Sequence, residues 1–426
     1  MTIQARRLAT LAAAFLLAWH CAAAAQPLRT DARPIDLPAA IELALAQPAL
    51  RAAAHEVAAN EAAAGDAGRF PNPELDYLRE GQRAGTRTTT VQIRQPIELG
   101  GKRRARVALA EGAVALARTE LAARRQDLRA DAIAGFYALL IAQEREVLAH
   151  SLVELARRGA DVAARRVAAG KSSPIDATRA RLAVVDASSE LGRASGEVAI
   201  ARTTLAALTG LPAETLTLAS RGADKPPAVK PLAALQAALG GSLAVQRARG
   251  QLAAQAAQVE VERAARMPDV TVSVGSQRDE ELGRRQAVVG LSLPLPLFNR
   301  NQGKLGAALR RMDGAQDELA AVQASAAAEL AGLHTRYEVA RNEAASLREE
   351  VLPAARSAHA LTLKGFEYGK FSFLDVLDAQ RSLFQAQARH WNVLLEAWRA
   401  YADIERLAGA GAASGHDTTT ELETHP

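Results

Sequence analysis

The strongest constraint on this sequence is a stretch of about 68 residues, 102–169, with a helical pattern and no proline. At ~1.5 Å per residue such a helix reaches roughly 100 Å, longer than an ordinary globular domain is wide. A second stretch, 303–368, is nearly as long and is interrupted only by Pro353. Both are entered almost directly from an alternating strand. Residues 91–111 read VQIRQPIELGGKRRARVALAE and residues 291–311 read LSLPLPLFNRNQGKLGAALRR. In each, the strand passes through a knot, Pro96–Gly101 or Pro294–Gly303, into the helix with no real loop. Such a chain must set a sheet on the end of a very long helix.

Composition agrees with long helices. The chain of 426 residues is 49% hydrophobic but only 4% aromatic, and the apolar share is largely Ala and Leu. Small side chains let long helices pack closely, and bulky cores must be scarce. The net charge of +5 is small for this length. No clustered basic face with interleaved aromatics is present, which argues against nucleic acid as a partner.

Residues 1–25 read as a secretory signal peptide, with Arg6 and Arg7 before the apolar core LATLAAAFLLA and small residues up to Ala25. That core is too short to span a bilayer as a helix. The one cysteine, Cys21, lies just before the expected cleavage site. Its removal would leave a mature chain with no thiol or disulfide. A lipoprotein reading would instead make Cys21 the lipidated first residue, although Trp19 and His20 are poor neighbours for that processing. No later segment reaches 18 uninterrupted apolar residues, so no membrane helix is expected.

The chain reads as a duplication. RFPNPELDY at 69–77 resembles RMPDVTVSV at 266–274, and AAGKSSPIDATRA at 168–180 resembles EYGKFSFLDVLDA at 367–379. Gly170 and Gly369, like Asp176 and Asp375, stand 199 positions apart. The first repeat covers 26–219 and the second 232–408, with a Pro-rich linker at 220–231 and a polar tail at 409–426. Each repeat has one order of parts. A short helix (38–46, 232–240) precedes a medium helix (48–68, 242–266) and two strands. A very long helix (102–169, 303–368), a tight turn and a last helix (174–209, 373–408) follow. Medium and last helices stacked end to end nearly match the long one in length. Gly170 and Gly369 suit the residue after a helix end, where positive φ is wanted. Ser173 with Asp176, and Ser372 with Asp375, suit capping boxes, with Pro174 in the first turn.

The strands alternate. Leu75 and Tyr77 oppose Glu74 and Asp76; Val91 and Ile93 oppose Gln92 and Arg94. Val270, Val272 and Val274 oppose Asp269, Thr271 and Ser273, and Ala287, Val289, Leu291 and Leu293 repeat the apolar face. A soluble sheet over a core would look similar, but no helix of matching size is free to cover these faces alone. The lengths suit tilted barrel strands. Four strands cannot close a membrane barrel, and an open edge in lipid leaves backbone groups unsatisfied, so several chains would have to share one barrel.

At this point the residues resemble a family. The layout is similar to the TolC-type outer-membrane factors of tripartite efflux systems across essentially the whole mature chain. FPNPEL, QPIELGGKRRAR and LPLFNRNQG resemble its heavy-metal, CzcC-like branch, and FLDVLDAQ is similar to the segment at the channel's periplasmic tip. The resemblance implies a mainly α fold with membrane β: a homotrimer with a twelve-stranded barrel in outer-membrane lipid and a twelve-helix α-barrel across the periplasm. It implies a periplasmic adaptor (membrane fusion) protein and an inner-membrane RND pump as partners, the pump doing the driven transport. This chain would be a passive duct for heavy-metal cations. The alternatives are a duct for drugs or other organic compounds, a periplasmic adaptor, or a coiled-coil scaffold. An adaptor would show one hairpin inside split β-domains, and a scaffold has no use for amphipathic strands.

No catalytic constellation, cofactor motif or metal-ligand spacing is present, and no enzymatic activity is expected. His416 and His425 in the tail are a weak metal candidate. Asp375 and Asp378 lie three apart on one helical face. By resemblance they face the lumen at the closed end, where a trimer would present six carboxylates that resist ionising together. Asp375 also has a plain capping role, whereas Asp378 has none. Gly170, Lys171, Gly369 and Lys370 are candidates for adaptor docking and equally plain turn residues.

Overall fold

The computed structural model describes residues 34–81, 83, 85–219, 226–409 and 411. The signal segment, Cys21, the start of the linker, His416 and His425 lie outside the described residues. The first half holds α1 (Leu37–Leu45), α2 (Pro48–Ala67), β1 (Glu74–Glu80), β2 (Thr88–Ile97), α3 (Lys102–Ala168) and α4 (Pro174–Thr209). The second holds α5 (Leu232–Ala238) with a 3₁₀ turn at Leu239–Gly241, α6 (Leu243–Ala264), β3 (Val270–Asp279), β4 (Arg284–Ser292) and α7 (Gln302–Ser346). It ends with α8 (Leu352–Glu367) and α9 (Phe373–Ala408). Every expected element is present, with boundaries shifted by a few residues at most.

One expectation changes. The second long helix is not a single rod marred by a proline, because α7 passes into α8 through a π turn at Leu347–Val351. Pro353 has no amide hydrogen and its ring crowds the preceding turn. A wider turn there accommodates the proline, and helix continues on both sides of it. α3 carries no proline and stays helical for 67 residues.

The long helices organise the packing. α3 lies against α2 near the sheet and against α4 further away, and it also contacts α6 and α9; α7 lies against α6 and α9. α2 and α4 meet end to end beside α3. A side chain at Gly210, which caps α4 at φ 74°, would come within 2.5 Å of Gln47 at the start of α2. Pro48 opens α2 in the first helical turn, where its missing N–H costs nothing.

Bulky side chains are concentrated near mid-length. One cluster joins Ile133 and Ile141 of α3 to Leu330, Leu333 and Tyr337 of α7 and Leu394, Trp398, Tyr401 and Ile404 of α9. A second joins Phe136, Leu139 and Leu140 to Val198 and Leu205 of α4 and to Ile35 and Leu216. Few aromatics are available, and the fold spends them here: Trp398 stacks on Tyr137 with ring centres 3.4 Å apart. Tyr337 is fully buried and donates to the Pro227 carbonyl, and burial pushes its hydroxyl pKa up to about 12. The Tyr401 hydroxyl donates to Glu405 at 2.5 Å, and Arg129 of α3 sits 3.2 Å from the same buried carboxylate. Elsewhere the contacts between helices are mostly alanines, such as Ala156 and Ala187 around Val153.

The four strands form one antiparallel sheet in the order β1-β2-β3-β4. The β2–β3 pairing runs from Thr88↔Asp279 to Ile97↔Val270 and so joins the two halves of the chain.

Candidate functional site

Register turns the alternation of four separate strands into one continuous face. Leu75 pairs with Ile93, Ile93 with Val274, and Val274 with Val289, giving one apolar row across the sheet. Val272 and Leu291 form part of the next row. Leu75, Val289 and Leu291 are 73%, 75% and 74% exposed, so nothing among the described residues covers the face. An uncovered apolar face of this extent marks a contact with lipid or with another protein. The other face is polar: Arg94 pairs with Asp76, and Gln286 donates to Gln277 at 2.5 Å. At Gly275 on that face a Cβ would collide with the Val91 carbonyl and with Gln92, so only glycine fits the close approach of β2. Among the described residues no helix is long and apolar enough to cross a membrane.

The knots that follow β2 and β4 aim the sheet at the helices. Gly100 and Gly101 take φ of 71° and 75°, and Asn301 takes 59°. These left-handed residues stand just before α3 and α7, at positions where a residue with a Cβ is strained. Asn301 recovers part of that cost through its side-chain amide, which donates to the Glu262 carbonyl at 3.0 Å and the Glu262 carboxylate at 2.7 Å. The motif ELGGKRRAR now has a physical account. Arg106 binds Glu98 at 2.6 Å and the Ala67 carbonyl at 2.7 Å, tying the knot to the end of α2. Lys102 reaches Asp269 at 2.7 Å, and the Leu99 amide donates to the same carboxylate.

At the far end the two hairpin turns come together. Both close the same way. The Gly170 amide donates to Val167 and the Lys171 amide to Arg166; the Gly369 amide donates to Phe366 and the Lys370 amide to Gly365. With φ of 65° and 73° at the glycines, these are paired Schellman closures. A small cluster joins Ala163 and Ala180 of the first hairpin to Phe366, Phe373, Val376 and Leu377 of the second. The structure therefore gathers Gly170, Lys171, Gly369, Lys370, Asp375 and Asp378 at one end of the molecule, and both lysines and both aspartates are exposed.

The carboxylates differ. The Ser372 hydroxyl and amide both donate to Asp375 at 2.8 Å, and the Asp375 amide donates back to the hydroxyl, closing the expected capping box. The hydroxyl bond, with the amide bond behind it, holds the Asp375 carboxyl below the ordinary carboxylate range. Asp378 forms no ion pair among the described residues. The matching box at Ser173 does not form. With ψ of 143° at Ser173 against 162° at Ser372, the Ser173 hydroxyl meets the Ile175 amide instead, and Asp176 returns no bond.

Arg166 was not singled out from sequence. Its guanidinium donates to the Phe366 carbonyl at 2.9 Å and lies 4.5 Å from the centre of the Phe366 ring, bridging the two hairpins. Nothing local marks that arginine among its neighbours, although Phe366 and Phe373 stand out in a chain with 8 phenylalanines.

Comparison with known proteins fits this geometry. The family described as "Outer membrane efflux protein" matches residues 40–211 and 234–410. The chain is similar to the cobalt-zinc-cadmium resistance protein CzcC of Cupriavidus metallidurans, with 44% identity over 89% of this chain and 91% of that one. It is also similar to the nickel-cobalt-cadmium resistance protein NccC of Alcaligenes xylosoxydans xylosoxydans, with 29% identity over 70% of this chain and 68% of the relative. Among solved structures, the outer-membrane channel OprN has the same fold, with a TM-score of 0.76 at 22% identity over 88% of this chain and 90% of that one. An uncovered apolar sheet face, a left-handed knot into each long helix and a family match over most of the sequence agree, and the chain belongs to the outer membrane efflux protein family.

Proposed function

We propose that three copies of this chain form one channel that lets heavy-metal cations leave the cell. The uncovered sheet face carries the reading. Four strands cannot seal a barrel, and three sheets of this kind supply the twelve strands that can. In that assembly the polar face turns to the lumen, and the helices continue the wall across the periplasm towards an adaptor and an inner-membrane RND pump. The likeness to a cobalt-zinc-cadmium resistance protein supports metal as the cargo. We read 26–219 and 232–408 as two copies of one unit joined by 220–231, after a signal peptide at 1–25 and before a tail at 409–426. Gly170, Lys171, Gly369 and Lys370 would meet the adaptor, and Asp375 and Asp378 would ring the lumen at the closed end.

Deleting the gene and challenging cells with metal and drug panels tests the cargo. Restored growth on zinc, cobalt or cadmium with the gene returned supports metal export; sensitivity to the drug panel alone makes the channel a duct for organic compounds. An inner-membrane or soluble fraction would favour an adaptor or scaffold. A ring of carboxylates favours cations and repels anions. Asp378→Asn removes charge without touching the cap, so assembled channels should lose cation selectivity in planar bilayers; unchanged selectivity would make Asp378 a plain surface residue.

A further inference from the structure

We propose that the outward face of the sheet, at its end away from the helices, binds the phosphate groups of an anionic lipid headgroup. Arg79 pairs with Thr89, Thr89 with Arg278, and Arg278 with Arg285, so these four residues form one row across all four strands. Two residues along each strand towards the helices lies the row Tyr77, Val91, Ser276 and Ala287, and beyond it Leu75, Ile93, Val274 and Val289. Side chains two apart share a face, so the arginines stand on the apolar side. They form its border at the hairpin end, the end that faces outward when the helices hang into the periplasm.

Among the described residues the row has no protein partner. All three arginines are exposed, and among the described residues none makes an ion pair, whereas Arg94 on the opposite face pairs with Asp76 and Glu74. The carboxylates next to the row along β1 and β3 are used or turned away. Asp279 accepts the Glu281 and Leu282 amides of its own hairpin at 2.9 and 3.0 Å, and Glu80 alternates to the polar face. Arg278 directly opposes Arg285, and like charges facing each other across a ladder destabilise a sheet. An anion between them turns that repulsion into a fork. Guanidinium grips phosphate in a bidentate way. Adjacent strands lie about 4.8 Å apart, so Arg278 and Arg285 can share one phosphate, while Arg79, about 10 Å away, reaches a second anionic group beside the Thr89 hydroxyl. The apolar rows beneath receive acyl chains, which is why a lipid and not a free anion fits. Barrels usually place aromatic residues at this border. Here the border row holds three arginines and Thr89, and Tyr77 is the one aromatic in the row beneath it.

This inference rests on the reading of the sheet as a membrane wall. Purified channel is reconstituted in phosphatidylcholine vesicles with or without diphosphorylated lipid A, re-extracted, and the lipid A retained per assembly is counted by native mass spectrometry. The variant Arg79→Gln/Arg278→Gln/Arg285→Gln should retain about fivefold less than the native chain, and the corresponding triple Lys variant an intermediate amount, because charge remains without the bidentate grip. Excess inorganic phosphate should not displace the lipid. Equal retention by the Gln variant, or displacement by inorganic phosphate, overturns the proposal. Should the triple variant fail to assemble, Arg285→Gln alone carries the test: clear loss supports the fork and unchanged retention removes it. The assay reads lipid and not transport, so its outcome varies independently of metal export.

Discussion

The two hairpin tips share a backbone and differ in their side chains. Both long helices end in a Schellman closure at a glycine of φ 65° or 73°, and both following helices start from a serine N-cap. The residues 199 positions apart around them have diverged. Exposed Pro174 corresponds to Phe373, which is only 5% exposed; Arg179 corresponds to Asp378; Ala160 and Leu191 correspond to His359 and His390. The first hairpin is an unbroken strut. The second has a π turn before Pro353 and a box-capped, acidic start to its last helix. Turn geometry is repeated because few backbone conformations reverse a helix within four residues. Side chains were free to specialise, and only the second hairpin turns carboxylates outward at both matched positions.

The largest contrast to test is at the first turn of each last helix. Phe373→Ala empties part of the tip cluster and should cost about 3–5 kcal/mol locally. Pro174→Ala at the matching position should change little. Hydrogen exchange across 360–380 and 160–180 reads both, and similar protection losses would dissolve the asymmetry. The glycines should instead behave alike. A Cβ at Gly170 or Gly369 meets nothing within 4 Å, so Ala at either position should cost only the left-handed strain of about 1–2 kcal/mol. Unequal melting shifts would show that one turn is held by more than its backbone.

The caps come next. Ser372→Ala opens a reciprocal box and should cost about 1 kcal/mol; Ser173→Ala, where only one bond is made, should cost less. The Asp375 carboxyl is held below its unfolded value, so its contribution is present above about pH 4 and lost as pH falls through the lowered folded value. The gap between the two serine variants should therefore narrow below about pH 4. The smallest effect concerns the histidines. Burial lowers both His359 and His390; Arg348 adds to this at His390, while a bond to the Ala344 backbone partly opposes it. The folded state then prefers neutral rings, and stability is lost as pH falls below about 6.5, where the unfolded chain takes up protons. Exchange in α8 and α9 should rise between neutral pH and pH 5.5 while α3 and α4 stay protected. His359→Ala with His390→Leu, the residues found in the first half, should remove the difference.

Much of this fold was legible before the structure because its signals are local. Period-two alternation in Val270–Val274, an unbroken helical pattern over α3, glycines at helix ends and a serine before each last helix all depend on a few neighbouring residues. The sequence also showed that an apolar face needed a partner. It could not show that Pro353 is absorbed by a π turn, since the proline alone permits a kink, a break or a widened turn. Nor could it tell that Ser372 closes its box while Ser173 does not, because both spell the same motif and the outcome follows small differences in ψ.

The sequence by itself determined the kind of elements, their order and their lengths, since periodicity and turn chemistry act within a handful of residues. Tertiary structure decided what meets across about 200 residues of chain: β2 beside β3, Arg166 on Phe366, Asp269 on Lys102, and Arg79 in one row with Arg278 and Arg285. Such pairings depend on register, and a slip of one residue would move every strand side chain to the other face. No local pattern carries that information.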